Sequence, residues 1–468
     1  MTLKHYLTVL LFTAASFFSP FANCEVEWLL SGSTIAEQNI EEGARGWILK
    51  VSKGDDGFLS LTGIQQTGTN VTGSATQKRR LDMNAPIKDV NGNNFKIKTI
   101  ARAVFKSSTA IDEVVLPEEL TIIEEYLFQN STVRKVVIAG SEISEIQAEA
   151  FQRCASLAEI SPMVFDNLKL IEDKAFSECA NLKGEFVINS DSFKFGSGSS
   201  GPFYSCSKLE GFIVNGNLVG ELNGNLFAYC SSLKRVKLSN APTNLVTAIN
   251  AQAFTSCSAL ESITPMDFPL VKYIGDGCFS GCVNLEGDMV IGNSDSSCTF
   301  HSAKACYGAF NSCKKLNSVT VKAKIAGGSV PKNYFNTCTN LKRLHIEHGV
   351  ATLGANFLYG CTSMRELYLP YRPTSIGSKS FSGIGARQME IHILREDVGS
   401  TGWLNSANHT PWLNLSDSVK NEWLSLSDEE KESRGWPKGR RPKGESLNLN
   451  NNQWLVTIPT KGLTYSLK

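Results

Sequence analysis

The segment AFTSCSAL (253–260) recurs along the chain, and this recurrence limits the folds open to it more than any other feature. Copies read AFQRCASL (150–157), AFSECANL (175–182), PFYSCSKL (202–209), LFAYCSSL (226–233), CFSGCVNL (278–285), AFNSCKKL (309–316), YFNTCTNL (334–341) and FLYGCTSM (357–364). Degenerate copies begin at Phe105, Phe128 and Phe381. One large apolar slot falls at 105, 128, 151, 176, 203, 227, 254, 279, 310, 335, 358 and 381, in steps of 23 to 31 residues. A repeat this short cannot bury its own apolar positions. Only the repeats above and below it can cover them, so the chain must stack as a solenoid.

The rest of the unit keeps the same register. An aliphatic residue stands five before the slot, as at Ile123, Ile146, Ile171, Leu222, Ile249, Ile274 and Leu353. A leucine follows six after it, then a short alternating run such as LKRVKL (233–238), LNSVTV (316–321), LKRLHI (341–346) or MRELYL (364–369). Alternation over so few residues predicts a half-buried strand. The AFxxCxxL piece, with apolar positions three apart, predicts a helical or 3₁₀ turn. The expected fold is therefore an α/β repeat solenoid: a right-handed coil of about twelve rungs, its parallel strands on one face about 4.8 Å apart.

The unit I-x₄-F-x₂-C-x₂-L-x₂-V-x-L resembles the BspA-like class of leucine-rich repeats over roughly residues 95–395. It departs from the commoner leucine-rich consensus, in which Asn or Cys follows the strand; here Cys precedes the leucine by three. The resemblance implies a secreted or cell-surface protein that acts as an adhesin-like recognition module.

Nine of the thirteen cysteines occupy one slot of the repeat: Cys154, Cys179, Cys206, Cys230, Cys257, Cys282, Cys313, Cys338 and Cys361. Stacked slots fall within the Cα range of a disulfide, but equivalent side chains point in parallel rather than at one another. Ser108, Ser131 and Ile384 replace the cysteine in degenerate copies, which suits a small buried packing position better than a reactive one. Metal binding would want C-x₂-C pairs, and the chain has none. Cys24, Cys278, Cys298 and Cys306 stand outside the ladder. In the enlarged repeat GNSDSSCTFHSAKACYGAF (292–310), Cys298 and Cys306 are either a disulfide clip or two free thiols.

The ends differ from the middle. Residues 1–24 read as a signal peptide, with Lys4 and His5 before an apolar run and Ala22-Asn23-Cys24 at its close. A lipid-modified Cys24 is the rival reading, which Phe21 and Asn23 fit poorly. Residues 25–98 carry two hairpin signals, WILKVSKGDDGFLSLTGI (47–64) and PIKDVNGNNFKIKTI (86–100), and read as an N-terminal β-hairpin cap ahead of the repeats at 99–395. DVNGNN superficially suggests a calcium loop, but Asn94 and Ile100 stand where Gly and Glu are required. Residues 396–468 hold five of the seven tryptophans and a basic Pro/Gly stretch, read as a small C-terminal cap followed by a loose tail. Sequons begin at Asn70, Asn130, Asn408 and Asn414.

A formal net charge of +1 gives no field to hold nucleic acid or a membrane surface. Beyond the first residues no stretch is long and apolar enough for a transmembrane helix. The chain lacks G-x-S-x-G, a P-loop and H-E-x-x-H, and HIEH (345–348) puts its histidines on opposite faces of a strand, so neither an enzyme nor a metal or cofactor site is expected. What remains is surface. Between the buried strand positions stand Arg235 and Lys237, Ser318 and Thr320, Arg343 and His345, and Glu366 and Tyr368. Of these, Arg235, Lys237, Arg343, His345, Glu366 and Tyr368 are the candidate ligand-binding residues, for a protein partner such as a host or matrix protein. The alternative is glycan binding or a glycan-system accessory role through the Trp-rich C-terminal region.

Overall fold

A computed structural model of the chain describes residues 28–37, 47–66, 79–242, 244–301, 308–369, 373, 375–384, 389–393, 425, 427 and 454–457, with 389–393 and 454–457 described by their backbone. The repeats stack as a parallel-stranded β-solenoid. Each alternating run forms a strand in which every second residue enters the core: Lys135–Ile138 buries Val136 and Ile138, and Arg343–Ile346 buries Leu344 and Ile346. The aliphatic position five before the slot builds a second row of shorter parallel strands. In that row Ile123 pairs with Ile146 and Ile146 with Ile171, and further along Leu222 pairs with Ile249 and Ile249 with Ile274.

Between the two rows the slot residues form a column. Phe105, Phe128, Phe151, Phe176, Phe203, Phe227, Phe254, Phe279, Phe310 and Phe335 stack with ring centroids 5.0–5.5 Å apart. All ten are fully buried, and Leu358 continues the column where the ring is missing. Stacked pairs add about 0.5–1.5 kcal/mol beyond the area they bury, so the column is a main source of rung-to-rung cohesion.

The expected helical turn does not form. Residues two before and two after the slot adopt left-handed backbone, as at Glu149 (φ 56) and Arg153 (φ 58) around Phe151, or Gln252 (φ 59) and Ser256 (φ 60) around Phe254. Two left-handed residues within five break any continuous helix, because each reverses the local winding. The segment instead runs as linked tight turns. Apart from the single helical residue Ser425, the only helical element among the described residues is the 3₁₀ segment Ala326–Gly328. The α/β class is therefore corrected to a β-solenoid.

The tight turns place each slot cysteine where its thiol donates to the carbonyl of the slot residue one rung back. Cys154 Sγ reaches Phe128 O at 2.9 Å, Cys257 reaches Phe227 O at 3.0 Å and Cys361 reaches Phe335 O at 3.0 Å, and the other six repeat the bond at 3.0–3.2 Å. The thiol therefore bonds as well as packs. Burial pushes the Cys206 thiol up to about 12, and those of Cys230, Cys257, Cys313 and Cys338 well above the ordinary value.

Both hairpins near the N-terminus form, Trp47–Lys53 with Leu59–Gln66 and Ile87–Asp89 with Asn94–Phe95. In the second, the Asp89 carboxylate accepts from Asn91 N and Asn93 N, so DVNGNN is a hairpin turn closed on itself. Trp28 and Trp47 from this region join the same continuous core as the repeats.

Candidate recognition face on the parallel strands

The longer strands form three successive parallel sheets. The first contains Arg79–Asp82, Ile111–Leu116, Lys135–Ile138 and Glu159–Ser161. The second runs through Val164–Phe165, Gly184–Ile188, Leu209–Val214, Arg235–Lys237 and Ser262–Thr264. The third contains Asp267–Phe268, Gly287–Ile291, Leu316–Val321, Arg343–Ile346, Glu366–Leu369, Met389–Ile393 and Trp454–Thr457. Both seams fall at the same motif, SPMVF (161–165) and TPMDF (264–268), where Pro162 and Pro265 lack the N–H that a ladder needs. The strand Trp454–Thr457 pairs in parallel with Met389–Ile393, so part of the C-terminal region joins the sheet.

On the first sheet the outward row is Arg80, Glu113, Lys135 and Glu159. Its charges are mutually satisfied: Arg80 pairs with Glu113 at 3.3 Å and Lys135 with Glu159 at 3.2 Å. On the second sheet Glu185, Gly211 and Arg235 stand in register on three adjacent strands. Gly211 has no side chain, so the Arg235 guanidinium crosses it and pairs with the Glu185 carboxylate. A Cβ at 211 would stand 2.7 Å from Glu185 Oε1. Beside this bridge, Lys237 Nζ bonds Asn215 at 3.0 Å, Asn215 bonds Asn189 at 2.8 Å, and Asn189 bonds Asp166 at 2.7 Å. Two of the six candidate residues, Arg235 and Lys237, thus have their charge engaged within the face.

The third sheet is wired differently. Asp288, Ser318, Arg343 and Glu366 share one row, and Thr320, His345 and Tyr368 the next. Ser318 Oγ donates to Asp288 Oδ1 at 2.5 Å and Asn317 Nδ2 to the same oxygen at 2.7 Å, which holds that carboxyl below its usual range. Arg343 is exposed and makes no ion pair with any described residue. The His345 ring lies 5.1 Å from that of Tyr368, whose hydroxyl donates to Glu366 at 3.2 Å. His345 Nε2 is buried with no hydrogen-bond partner among the described residues, and burial lowers the affinity of the ring for a proton. The ring is therefore neutral near pH 7. Arg343, His345, Glu366 and Tyr368 form one contiguous patch; Arg235 and Lys237 lie on another sheet.

The model for the BspA type leucine rich repeat region matches residues 83–199, 163–286 and 301–408, with six copies. The chain belongs to this family. Solved structures that the BspA type repeat chain resembles include a leucine-rich repeat protein from Bacteroides ovatus, at 20% identity over 75% of this chain and 95% of that one, TM-score 0.43. A leucine rich cell surface protein from Faecalibacterium prausnitzii shares 18% identity over 78% and 88%, TM-score 0.36. The pneumococcal vaccine antigen PcpA shares 16% over 92% and 99%, TM-score 0.41. Comparison with curated proteins finds no match. No helix among the described residues is long and apolar enough to cross a membrane.

Several residues that shape the face carry no mark in the repeat pattern. Glu185, Gly211, Asp288 and Ser318 decide which arginine is engaged, yet each occupies an ordinary outward strand position. The signal that could have found them is a longer period. NLKGEFVI (181–188) returns as NLEGDMVI (284–291), and Pro162 and Pro265 stand 103 residues apart, so Glu185 and Asp288 are equivalent. Cys298 is a buried free thiol, pushed up to about 12 by burial. Its candidate partner Cys306 lies outside the described residues, as do Cys24 and the tail tryptophans other than Trp454.

Proposed function

We propose that the chain is an exported, non-catalytic recognition protein that binds a protein partner through the strand face of its solenoid. Export rests on the signal-peptide reading of residues 1–24, and the two N-terminal hairpins act as the cap for the first rung. The observation that carries the reading is the patch of Arg343, His345, Glu366 and Tyr368 on two adjacent strands, which joins an unengaged guanidinium to an aromatic ring. Arg and Tyr are residue types that anchor protein interfaces. The opposite expectation, a solvated face with no ligand, is separated from it by one experiment. The secreted chain is immobilised and offered a panel of purified extracellular matrix proteins, beside the double variant R343A/Y368E. Binding to a panel member that the variant loses by roughly thirtyfold or more, with the thermal midpoint unchanged, supports the face. Equal binding by both chains removes this face from the function.

A further inference from the structure

The strand Trp454–Thr457 closes the third sheet without belonging to a rung. It pairs in parallel with Met389–Ile393, from Met389 opposite Trp454 to His392 opposite Thr457. From Gly287–Ile291 through Leu316–Val321, Arg343–Ile346 and Glu366–Leu369 to Met389–Ile393, each crossover to the next strand takes 19–24 residues, one turn of the coil. The last crossover, residues 394–453, takes sixty. It also lacks the parts that fasten a rung to its neighbour. Leu455 shares a row with Glu390 and Glu366, and Glu366 stands two residues after Met364 and five after Cys361. At the same distances before Leu455 stand Gln453 and Asn450, so neither the apolar residue nor the cysteine of the repeat is there. What holds the segment is its hydrogen-bonded ladder and the register of its own few residues.

That register defines what the edge accepts. Val456 stands opposite Ile391, in the row that runs back through Leu367 and Leu344, both buried. WLVTI (454–458) sets Trp, Val and Ile at alternate positions, the period of a strand with one face toward a core. Leu455 and Thr457 continue the two outward rows, Arg343–Glu366–Glu390 and His345–Tyr368–His392. The edge is therefore continuous with the patch of Arg343, His345, Glu366 and Tyr368, and a strand docked there becomes the next strand of the same face. Strand addition draws its affinity from main-chain hydrogen bonds and its specificity from alternate side chains, so another extended segment of this pattern meets the same demand. A strand on a sixty-residue tether opposes such a segment only with the modest effective concentration that a long loop gives.

We propose that the edge along Met389–Ile393 is a strand-addition site for the protein partner, filled by Trp454–Thr457 in the free chain and vacated on binding. The partner it fits presents an extended segment, parallel to Met389–Ile393, with β-branched or aromatic residues at every second position. The C-terminal strand is a built-in competitor for that segment. This inference rests on the recognition reading above and adds the form of the partner's segment and the place where it docks.

The test uses the full chain and an end-blocked, labelled peptide of residues 452–460, NQWLVTIPT, followed by fluorescence anisotropy with the chain kept dilute. A twin peptide carries L455P and V456P. Of two successive N–H groups one faces the neighbouring strand, so the twin loses a ladder donor in either register. The same substitutions in the chain, L455P/V456P, unseat the resident strand, and deletion of residues 450–468 opens the edge by a second route should that variant not fold. The peptide is expected to bind the opened chains roughly tenfold or more tightly than the intact one, and the twin to bind none of them. A matrix protein bound by the intact chain should be displaced by excess peptide and held more tightly by L455P/V456P. Equal binding of peptide and twin, equal affinity of intact and opened chains, or no binding to either opened chain would each overturn the site. A matrix protein that withstands excess peptide yet is lost in R343A/Y368E would overturn strand addition and leave the recognition face standing.

Discussion

Cysteine is a better residue for this slot than its size alone explains. The slot is dry, small and faced by a backbone carbonyl from the rung before, so a residue there must fill space and also supply one donor. Cys257 does both, and in an early repeat Ser131 fills the slot with its hydroxyl 3.5 Å from Cys154 Sγ. Valine would fill the space but remove this bond, leaving the Phe227 carbonyl with the Cys230 N–H alone, at a cost of about 0.5–1.5 kcal/mol. The buried thiols also make stability depend on alkaline pH. An unfolded thiol titrates near 9.0, whereas Cys206 in the folded chain is raised to about 12. Below pH 9 both states keep the proton and the full stability is present. As pH rises from 9 toward 12 the unfolded state releases its proton first, so stability falls through that window. At pH 10 the loss is about 1.4 kcal/mol for each such thiol. The difference between urea-derived stabilities at pH 8 and pH 10 should therefore shrink by about that amount in C206S. An unchanged difference would show that Cys206 titrates normally in the folded chain.

At the scale of the element, the turn between slot and strand was the part the sequence described least well. Ser256 adopts φ 60 with an ordinary side chain, as do Arg153 (φ 58) and Tyr229 (φ 64). Replacing Ser256 by Val should destabilise the chain by about 1–2 kcal/mol, because a β-branched residue resists the left-handed region, whereas S256G should be neutral or stabilising. Thermal unfolding of the two variants side by side decides it; equal midpoints would mean that the turn can rewind. Such conformations are hard to foresee because Ser, Asn, Glu, Lys, Arg and Tyr all occupy these positions, and only Gly277, Gly281, Gly360 and Gly383 announce a positive φ. The apolar spacing of three is shared by a 3₁₀ turn and by these linked turns, so periodicity cannot separate them. The strands were legible because LKRVKL and LKRLHI alternate cleanly, and the slot was legible because a stacked ring tolerates few substitutes. The face was legible only in part. Alternation names which residues point outward, but whether Arg235 or Arg343 is engaged depends on Gly211 and Ser318, one strand away and some 25 residues distant.

At the scale of the whole molecule, a solenoid of parallel strands has two open ends, and each end presents unpaired backbone groups to solvent. The first outward strand, Arg79–Asp82, lies in the chain between strands of a seven-stranded mixed sheet, and Trp28 and Trp47 of that sheet share the repeat core. At the other end Met389–Ile393 would offer a free edge of five residues, and there the chain supplies Trp454–Thr457, which pairs with it in parallel from Met389 opposite Trp454 to His392 opposite Thr457. An uncovered edge of this length is a template for another copy, since its N–H and C=O groups have no partner until a strand docks. Deleting residues 450–468 should therefore turn a concentration-independent species into one that self-associates, visible as a sedimentation coefficient that rises with loading concentration. A lysine in the outward row of that strand, H392K, in register with Tyr368 and His345, should suppress that association in the truncated chain, because a lysine on a free edge strand opposes strand addition. If the truncated chain sediments like the intact one at every concentration, the pairing of Trp454–Thr457 does not guard the edge. The surface that closes the solenoid is then the strand Met389–Ile393 itself.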